Sequence, residues 1–218
     1  MEGPTRRQVL GGAPAALLAA LLAPQAARAE PPAMASGRVV DDEGGRGLAG
    51  VMVSNGGAVV PTDADGRWRL PLSPGESAFV IKPSGWMVPL DPVTRLPRFA
   101  HVYAPEGTPA ALGLRYAGLP PSGALPDEIV FRLRRQTEPA AFSAVLLTDP
   151  QPESAIELGY VRDDVAARIG GERAAFGVTL GDLMFDDLSL YDRHNRIIGA
   201  LGMPWWNLPG NHDMNLDA

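Results

Sequence analysis

The chain has 218 residues, with 19 basic and 25 acidic side chains, a formal net charge of −6 and no cysteine. This length allows one or two domains with a buried core, and the lack of cysteine excludes disulfide bonds as a source of stability. The acidic balance argues against a nucleic-acid partner, because proteins that bind phosphate backbones carry clustered basic residues.

The first 29 residues are predicted to be an export signal. Arg6 and Arg7 precede a run of small and apolar residues from 9 to 23, which is too short and too rich in glycine and alanine to span a bilayer. Ala27-Arg28-Ala29 follows as a small-x-small cleavage pattern. The paired arginines resemble a twin-arginine signal, which exports proteins that are already folded. We expect a mature periplasmic or secreted chain that begins at Glu30 and has no membrane span; the alternative is an uncleaved N-terminal anchor.

Residues 36–136 are predicted to form a β-sandwich domain. Short apolar segments separated by turns rich in Gly, Asp and Pro predict five strands, at Gly37–Val40, Gly50–Ser54, Trp68–Pro71, Phe79–Ile81 and Ile129–Leu133. The order of these segments around the turn Thr62-Asp63-Ala64-Asp65-Gly66 resembles the transthyretin-like or carboxypeptidase-regulatory-like modules of exported proteins. This resemblance implies an all-β sandwich of the immunoglobulin/transthyretin-like class. The proline-rich stretch 83–127 is expected to form long surface loops.

Residues 140–218 have a different pattern, in which apolar runs alternate with helical periodicity. The runs at 142–148, 176–180 and 201–207 predict three buried strands, the first of them covered on both faces. The segments between them predict two helices: the first has Ile156, Tyr160, Val165 and Ile169 near one face, and the second has Tyr191, His194, Ile198 and Leu201 at helical spacing. Because right-handed crossovers make such units parallel, the three strands should end at one edge of a sheet.

Polar residues follow each of these three strands directly. They are Asp149 and Gln151 after the first strand, Asp182 after the second, and Asn211, His212 and Asp213 after the third. Open α/β sheets bind their ligands at this edge, and oxygen donors with an amide suit hard or borderline divalent ions. The last motif alone would be a surface turn with a loop histidine, but three motifs at one edge favour a metal site. His194, on an apolar helical face, is not expected to be a ligand.

The three motifs resemble those of the calcineurin-like metallophosphoesterases. They are Asp149-Pro150-Gln151, Gly181-Asp182 through Asp186 and Asp187, and Gly210-Asn211-His212-Asp213, and the similarity covers residues 142–218. The resemblance implies an α/β metallophosphoesterase domain, here a parallel βαβαβ half. It also implies hydrolysis of a phosphoester with two divalent or trivalent metal ions, for which Mn, Fe and Zn are all suitable.

The resemblance also implies a role for each motif residue. Asp149 would bind the first metal ion, Asp182 would bridge both ions, and Asn211 would bind the second. Gln151 stands where many members of the family have a histidine; because an amide is a weaker and uncharged ligand, we expect looser binding of the first ion.

The resemblance assigns His212 to the leaving-group oxygen, which it would stabilise or protonate, and Asp213 to orienting His212. The family's remaining ligands are histidines in later motifs, whereas this chain stops at Ala218. We therefore expect residues 140–218 to be the N-terminal half of the catalytic domain, and the chain to be weakly active or inactive on phosphorylated small molecules or other phosphoesters.

Two alternatives belong to other classes of function. The β-sandwich could be an exported binding or spacer module that carries a non-catalytic phosphoesterase remnant. The whole chain could also be a folded pseudoenzyme that binds phosphorylated ligands without turnover.

Overall fold

Strands with alternating buried and exposed residues build two four-stranded sheets from the first part of the chain. A computed structural model describes residues 31–215, so the predicted export signal lies outside the described residues. One sheet has the order β4-β1-β8-β6 and the other β3-β2-β5-β7. The strands are β1 (Ala33–Asp41), β2 (Met52–Ser54), β3 (Val59–Pro61), β4 (Arg67–Leu72), β5 (Ser77–Val80), β6 (Trp86–Met87), β7 (Ala100–Val102) and β8 (Ile129–Arg135).

The two sheets bury their inner faces in one shared hydrophobic core. Along β4 every second residue is buried, and Trp68 stacks on Phe131 of β8 with ring centroids 5.7 Å apart. Pairing within the sheets is antiparallel except between β1 and β8, which are parallel. The described chain is thus mostly sheet with few helices.

Two strands lie inside the stretch 83–127, which the sequence predicted to be loops. They are two and three residues long. The second contains His101, whose alternation with Phe99 and Tyr103 predicts a half-buried strand histidine, and His101 is half-buried in β7. Each strand pairs with a distant one, Trp86 opposite Arg135 and Ala100 opposite Phe79, and for β6 this tertiary pairing overrides the loop-like sequence.

The last part of the described chain forms a three-stranded sheet with the order β11-β10-β9. The strands are β9 (Ala144–Thr148), β10 (Phe176–Leu180) and β11 (Trp205–Leu208), and both neighbouring pairs are parallel. The connection from β9 to β10 contains α1 (Ala155–Tyr160), a π-helical segment (Val161–Ala166) and α2 (Ala167–Ile169). The connection from β10 to β11 contains a 3₁₀ turn (Leu188–Leu190) and α3 (Tyr191–Gly199).

The face predicted for the first helix is wrong. Ile156 is 71% exposed and Tyr160 58% exposed, whereas the buried residues are Leu158, Val161 and Ala166. Their spacing of three and then five residues fits an α-helical turn followed by a π-helical one. The sequence pattern assumed a single helical period, and the π-helical segment changes it.

The first parallel strand is not covered on both faces, contrary to the prediction. Leu146 of β9 is 59% exposed, and Phe142 just before the strand is 63% exposed. Next to this face, a cavity of about 600 Å³ lies between the two four-stranded sheets and the parallel sheet. Its lining includes the aromatic residues Phe142, Phe176 and Trp206. None of the described helices is long and apolar enough to cross a membrane.

Gly177 of β10 provides a test of the packing under the parallel sheet. A Cβ atom there would lie 2.0 Å from Cζ3 of Trp205, a fully buried ring whose Nε1 donates to Thr179 Oγ1 at 2.9 Å. We expect Gly177→Ala to lower the free energy of unfolding by about 1–3 kcal/mol, because the ring must move. Urea denaturation measures this change. Gly171→Ala, at a position with no atom within 4 Å of the new Cβ, is the control; equal effects of the two substitutions would contradict the packing argument.

Candidate active site

The loops that follow the three parallel strands begin side by side. Leu180, the last residue of β10, is in register with Thr148 of β9 and with Leu208 of β11. Neighbouring strands are about 4.8 Å apart, so the first residues of the three loops lie at one edge of the sheet. Because β10 is the central strand, the loop that carries Asp182 lies between the other two.

The Asp182 carboxylate joins the three loops. Asp182 is 8% exposed, and its Oδ2 accepts a hydrogen bond from Gln151 Nε2 at 2.8 Å. Its Oδ1 accepts from the backbone N–H of His212 at 3.1 Å. A Cβ at position 210 would lie 2.0 Å from this Oδ1, so the close approach of the third loop requires Gly210.

The same loops contain an unusual concentration of left-handed backbone. Among the described residues, five non-glycine residues have positive φ, and four of them lie here: Asp149 (46°), Gln151 (38°), Asp182 (41°) and Asp186 (60°). Such conformations are uncommon outside glycine and cluster at functional sites. Aspartate adopts this conformation more readily than most residues, but four such residues in two neighbouring loops are a concentration that favours a functional site.

The metal-binding set predicted from the sequence is only partly assembled. Asp149 and Asn211 lie on the two outer loops, where both are exposed, and among the described residues neither side chain makes a hydrogen bond. Gln151 and Asp182 are hydrogen-bonded to each other. Within residues 31–215, no group of three or more His, Cys, Asp or Glu residues is placed to hold a metal ion. The predicted ligands at this edge are two carboxylates and two amides, whose oxygen atoms suit a divalent cation.

His212 is held by two neighbours from the loop after β10. Its ring stacks on Phe185 with centroids 4.4 Å apart, and its Nδ1 lies 2.9 Å from Asp186 Oδ1. Asp186 is the main cause of a raised His212 pKa, and Asp182 and Asp213 raise it further. With Nδ1 bound to Asp186, Nε2 is the ring nitrogen left for proton transfer.

Asp213 does not contact the His212 ring as the sequence predicted. Its carboxylate instead accepts three backbone hydrogen bonds, from Leu183 N at 3.0 Å, Met184 N at 3.1 Å and Gly210 N at 2.8 Å. The reason is the left-handed turn at Asp182, which presents successive N–H groups to the third loop. Asp213 therefore fastens the loop after β10 to the loop after β11, and Asp186 holds the imidazole.

His194 was not predicted to be a ligand, and it lies in the interior of the protein. It is fully buried on α3, and burial lowers its pKa. Neither ring nitrogen has a hydrogen-bond partner among the described residues.

Sequence reasoning missed two residues around the site. Asp186 is part of the second motif, so the motif itself could have identified it. Tyr116 comes from the first part of the chain, and its hydroxyl donates to Asp187 Oδ1 at 3.0 Å. No local pattern signals a contact between residues 71 positions apart.

A comparison with protein families bears on this geometry. Residues 33–110 match a family model described as "N terminal of Calcineurin-like phosphoesterase". The match supports the calcineurin-like phosphoesterase family. It lies on the two-sheet part of the chain, which runs from β1 to β8. The resemblance of the motifs between residues 149 and 213 to the same family stays a prediction. The transthyretin-like resemblance of residues 36–136 stays a prediction.

The other comparisons add little. No curated protein matches the sequence. Among solved structures, the chain is similar to a 9R-lipoxygenase from Cyanothece PCC8801, with 13% identity and a TM-score of 0.21 over 64% of this chain. The similarity spans 23% of that protein, and a score this low says nothing about fold or activity.

The three hydrogen bonds to Asp213 predict a measurable contribution to stability. We expect Asp213→Ala to lower the free energy of unfolding by about 2–3 kcal/mol, because partly buried N–H groups lose a charged acceptor. Chemical denaturation at neutral pH measures the difference. Asp164→Ala, at an exposed position, is the matched control, and a change in Asp213→Ala no larger than in this control would show that the three bonds are not stabilising.

The contact between His212 and Asp186 predicts a pH effect in the metal-free protein. We expect Asp186→Asn to lower the His212 pKa towards its ordinary value of about 6.5, as measured by NMR titration of the imidazole protons. Since folding raises this pKa, the stabilisation is fully present below about pH 6.5 and is lost as the pH rises through the raised value. Wild type should therefore exceed Asp186→Asn in stability more at pH 5.5 than at pH 8.5. The reverse order would contradict the assignment.

Proposed function

We propose that this protein is an exported, metal-dependent phosphoester hydrolase, and that its activity is weak with the metal ligands that residues 31–215 supply. The observation that carries the proposal is the position of Asp182. Its buried carboxylate lies on the central loop and is contacted from both outer loops. Active sites of open α/β sheets are built at this edge, and the family supported by residues 33–110 consists of phosphoesterases.

The residues at this edge supply donor atoms that suit a metal centre, but the set of ligands is incomplete. Asp182 and Asp149 would supply carboxylate oxygens, and Asn211 and Gln151 would supply amide oxygens. Ions such as Mn²⁺, Fe³⁺ or Zn²⁺, when bound, supply an activated water and offset the negative charge of a phosphoester. Two carboxylates and two uncharged amides hold such ions less strongly than a set with histidines, which is the reason for proposing weak activity.

The chain's own residues would handle the proton. Asp186 fixes the His212 ring through Nδ1 and, by raising the pKa, keeps a larger fraction of the imidazole protonated near neutral pH. A protonated Nε2 can donate to the oxygen that leaves phosphorus. Phe185, stacked on the ring, restricts its rotation, so that His212 presents one nitrogen in one direction.

The location and the partners of the protein are proposed from its sequence. Arg6 and Arg7 ahead of the apolar run at 9–23 favour export to the periplasm or beyond. A phosphorylated small molecule or another phosphoester is the proposed substrate, and neither a nucleic-acid partner nor a membrane span in the mature chain is expected. The net negative charge of the chain is the reason for expecting no nucleic-acid partner.

A second candidate function is an exported binding or spacer module. The observation that favours it is that, among the described residues, no group of three or more His, Cys, Asp or Glu is placed for a metal ion. In this case the two-sheet part, with its large shared core, would be the functional unit, and the parallel sheet would be a non-catalytic remnant.

Metal binding separates the two candidates. We expect residues 30–218 to bind about two Mn²⁺ ions per chain at saturation, as measured by isothermal titration calorimetry, and to hydrolyse p-nitrophenyl phosphate slowly and only with Mn²⁺. Asp182→Asn should abolish both, while Asp164→Asn, at an exposed position, should change neither. A wild-type chain that binds no Mn²⁺ would favour the binding module.

A further inference from the structure

A loop from the two-sheet part of the chain reaches the candidate active site. This loop, residues 104–127, connects β7 to β8. The Tyr116 hydroxyl donates to Asp187, as described above, and the Tyr116 backbone N–H donates to Asn215 Oδ1 at 2.9 Å. Asn215 Nδ2 in turn donates to the Tyr116 carbonyl at 3.0 Å. Three hydrogen bonds thus attach residue 116 to the loops after β10 and β11.

The loop is also held by its own contacts. Thr108 N donates to the Leu119 carbonyl at 2.9 Å, and Leu119 N donates to Thr108 Oγ1 at 2.8 Å. Ala104 N donates to Ser122 Oγ at 3.0 Å. These bonds close the base of the loop, so its tip is presented to the site in a defined position.

Arg115 stands at this tip with its charge available. Its guanidinium carbon lies 5.2 Å from the centroid of the Tyr116 ring, and the residue is exposed. None of the ion pairs among the described residues involves Arg115. A guanidinium that lies over an aromatic ring contacts the ring with its flat face. The N–H groups at the edges of the guanidinium are then free to bind an anion. The positive charge also lies close enough to contribute to the lowered pKa of Asp187, whose main cause is Ser189.

The charge of the site makes a cation at this position useful. The three loops present many carboxylates: Asp149, Asp182, Asp186, Asp187 and Asp213. A phosphoester is an anion and is repelled by them, so its binding needs positive charge beyond that of the metal ions. Arginine matches phosphoryl oxygens with two parallel hydrogen bonds.

We propose that Arg115 binds the phosphoryl oxygens of the substrate and that Tyr116 positions it, so that the 104–127 loop completes the active site. The proposal rests on the phosphoesterase function proposed above, and it gives the two-sheet part of the chain a direct role in substrate binding. The proposed ligand is a phosphate monoester or a phosphate diester. Inorganic phosphate is the simplest probe for this class.

The test measures phosphate and Mn²⁺ separately. Inorganic phosphate is titrated into Mn²⁺-saturated residues 30–218 by calorimetry, and Mn²⁺ alone is titrated into each metal-free variant. We expect Arg115→Ala to weaken phosphate binding at least about tenfold, because the charge-assisted hydrogen bonds of the guanidinium are lost, and to leave Mn²⁺ binding unchanged. Arg115→Lys should weaken phosphate binding less than Arg115→Ala, because lysine keeps the positive charge but lacks the two-pronged guanidinium. Arg69→Ala, an exposed arginine on β4, should match wild type.

Two further variants separate charge from loop position. Tyr116→Phe removes only the hydroxyl that contacts Asp187 and should weaken phosphate binding less than Arg115→Ala. Arg115→Glu, which places a carboxylate in the anion site, should abolish it. Circular dichroism melting checks that these surface variants remain folded.

The outcomes distinguish the two proposals. Equal phosphate affinity of wild type and Arg115→Ala, with Mn²⁺ binding intact, overturns the Arg115 assignment and leaves the phosphoesterase proposal standing. Absence of phosphate binding in the Mn²⁺-loaded wild type also overturns the Arg115 assignment. Absence of Mn²⁺ binding in the wild type overturns the phosphoesterase proposal.

Discussion

Two hydrogen bonds to the Asp182 carboxylate connect the loops that follow all three parallel strands, and the candidate site depends on them. Asp182 itself has a left-handed backbone, as do Asp149, Gln151 and Asp186. Each such residue costs on the order of 1–3 kcal/mol unless its surroundings compensate, whereas one hydrogen bond returns only about 1 kcal/mol. The loops therefore cannot hold these conformations alone. They require the register of β9, β10 and β11, which fixes where each loop begins.

The parallel sheet is in turn attached to the two-sheet part of the chain at several points. In the segment that connects β8 to β9, Glu138 binds both Lys82 and Ser84, and these contacts lower the pKa of Glu138 to about 2. The backbone N–H of Trp205 donates to the Arg95 carbonyl at 3.3 Å. A Cβ on Gly199 would lie 2.2 Å from the Val93 carbonyl, so α3 packs closely on the loop that contains Val93. These contacts pack the parallel sheet and α3 against the two-sheet part of the chain.

The sequence predicted the elements that have a strong local pattern. The strand at Phe176–Leu180 has the observed bounds, and the polar residues after each parallel strand do lie at one edge, because strand direction and register follow from the βαβ order. The buried face of the first helix could not be predicted, since a π-helical segment interrupts the period. The partner of His212 was assigned to Asp213, its neighbour in sequence, whereas the backbone turn at Asp182 brings Asp186 to the ring instead. Tyr116 was missed because its contact is purely tertiary.

The carboxylates of the candidate site differ in their hydrogen-bond partners. The Asp213 carboxylate accepts hydrogen bonds from three backbone N–H groups, and Asp186 Oδ1 lies 2.9 Å from His212 Nδ1. Asp182 has two donors, but Asp149 has none among the described residues. Negative charges on neighbouring loops repel one another, and a nearby cation offsets that repulsion. A site that needed only stability would have fewer of them, since neutral side chains would fit the same turns at lower electrostatic cost. Negative charge on strained loops, with one arginine presented from a separate segment, supports the proposal that metal cations and an anionic substrate bind at this edge.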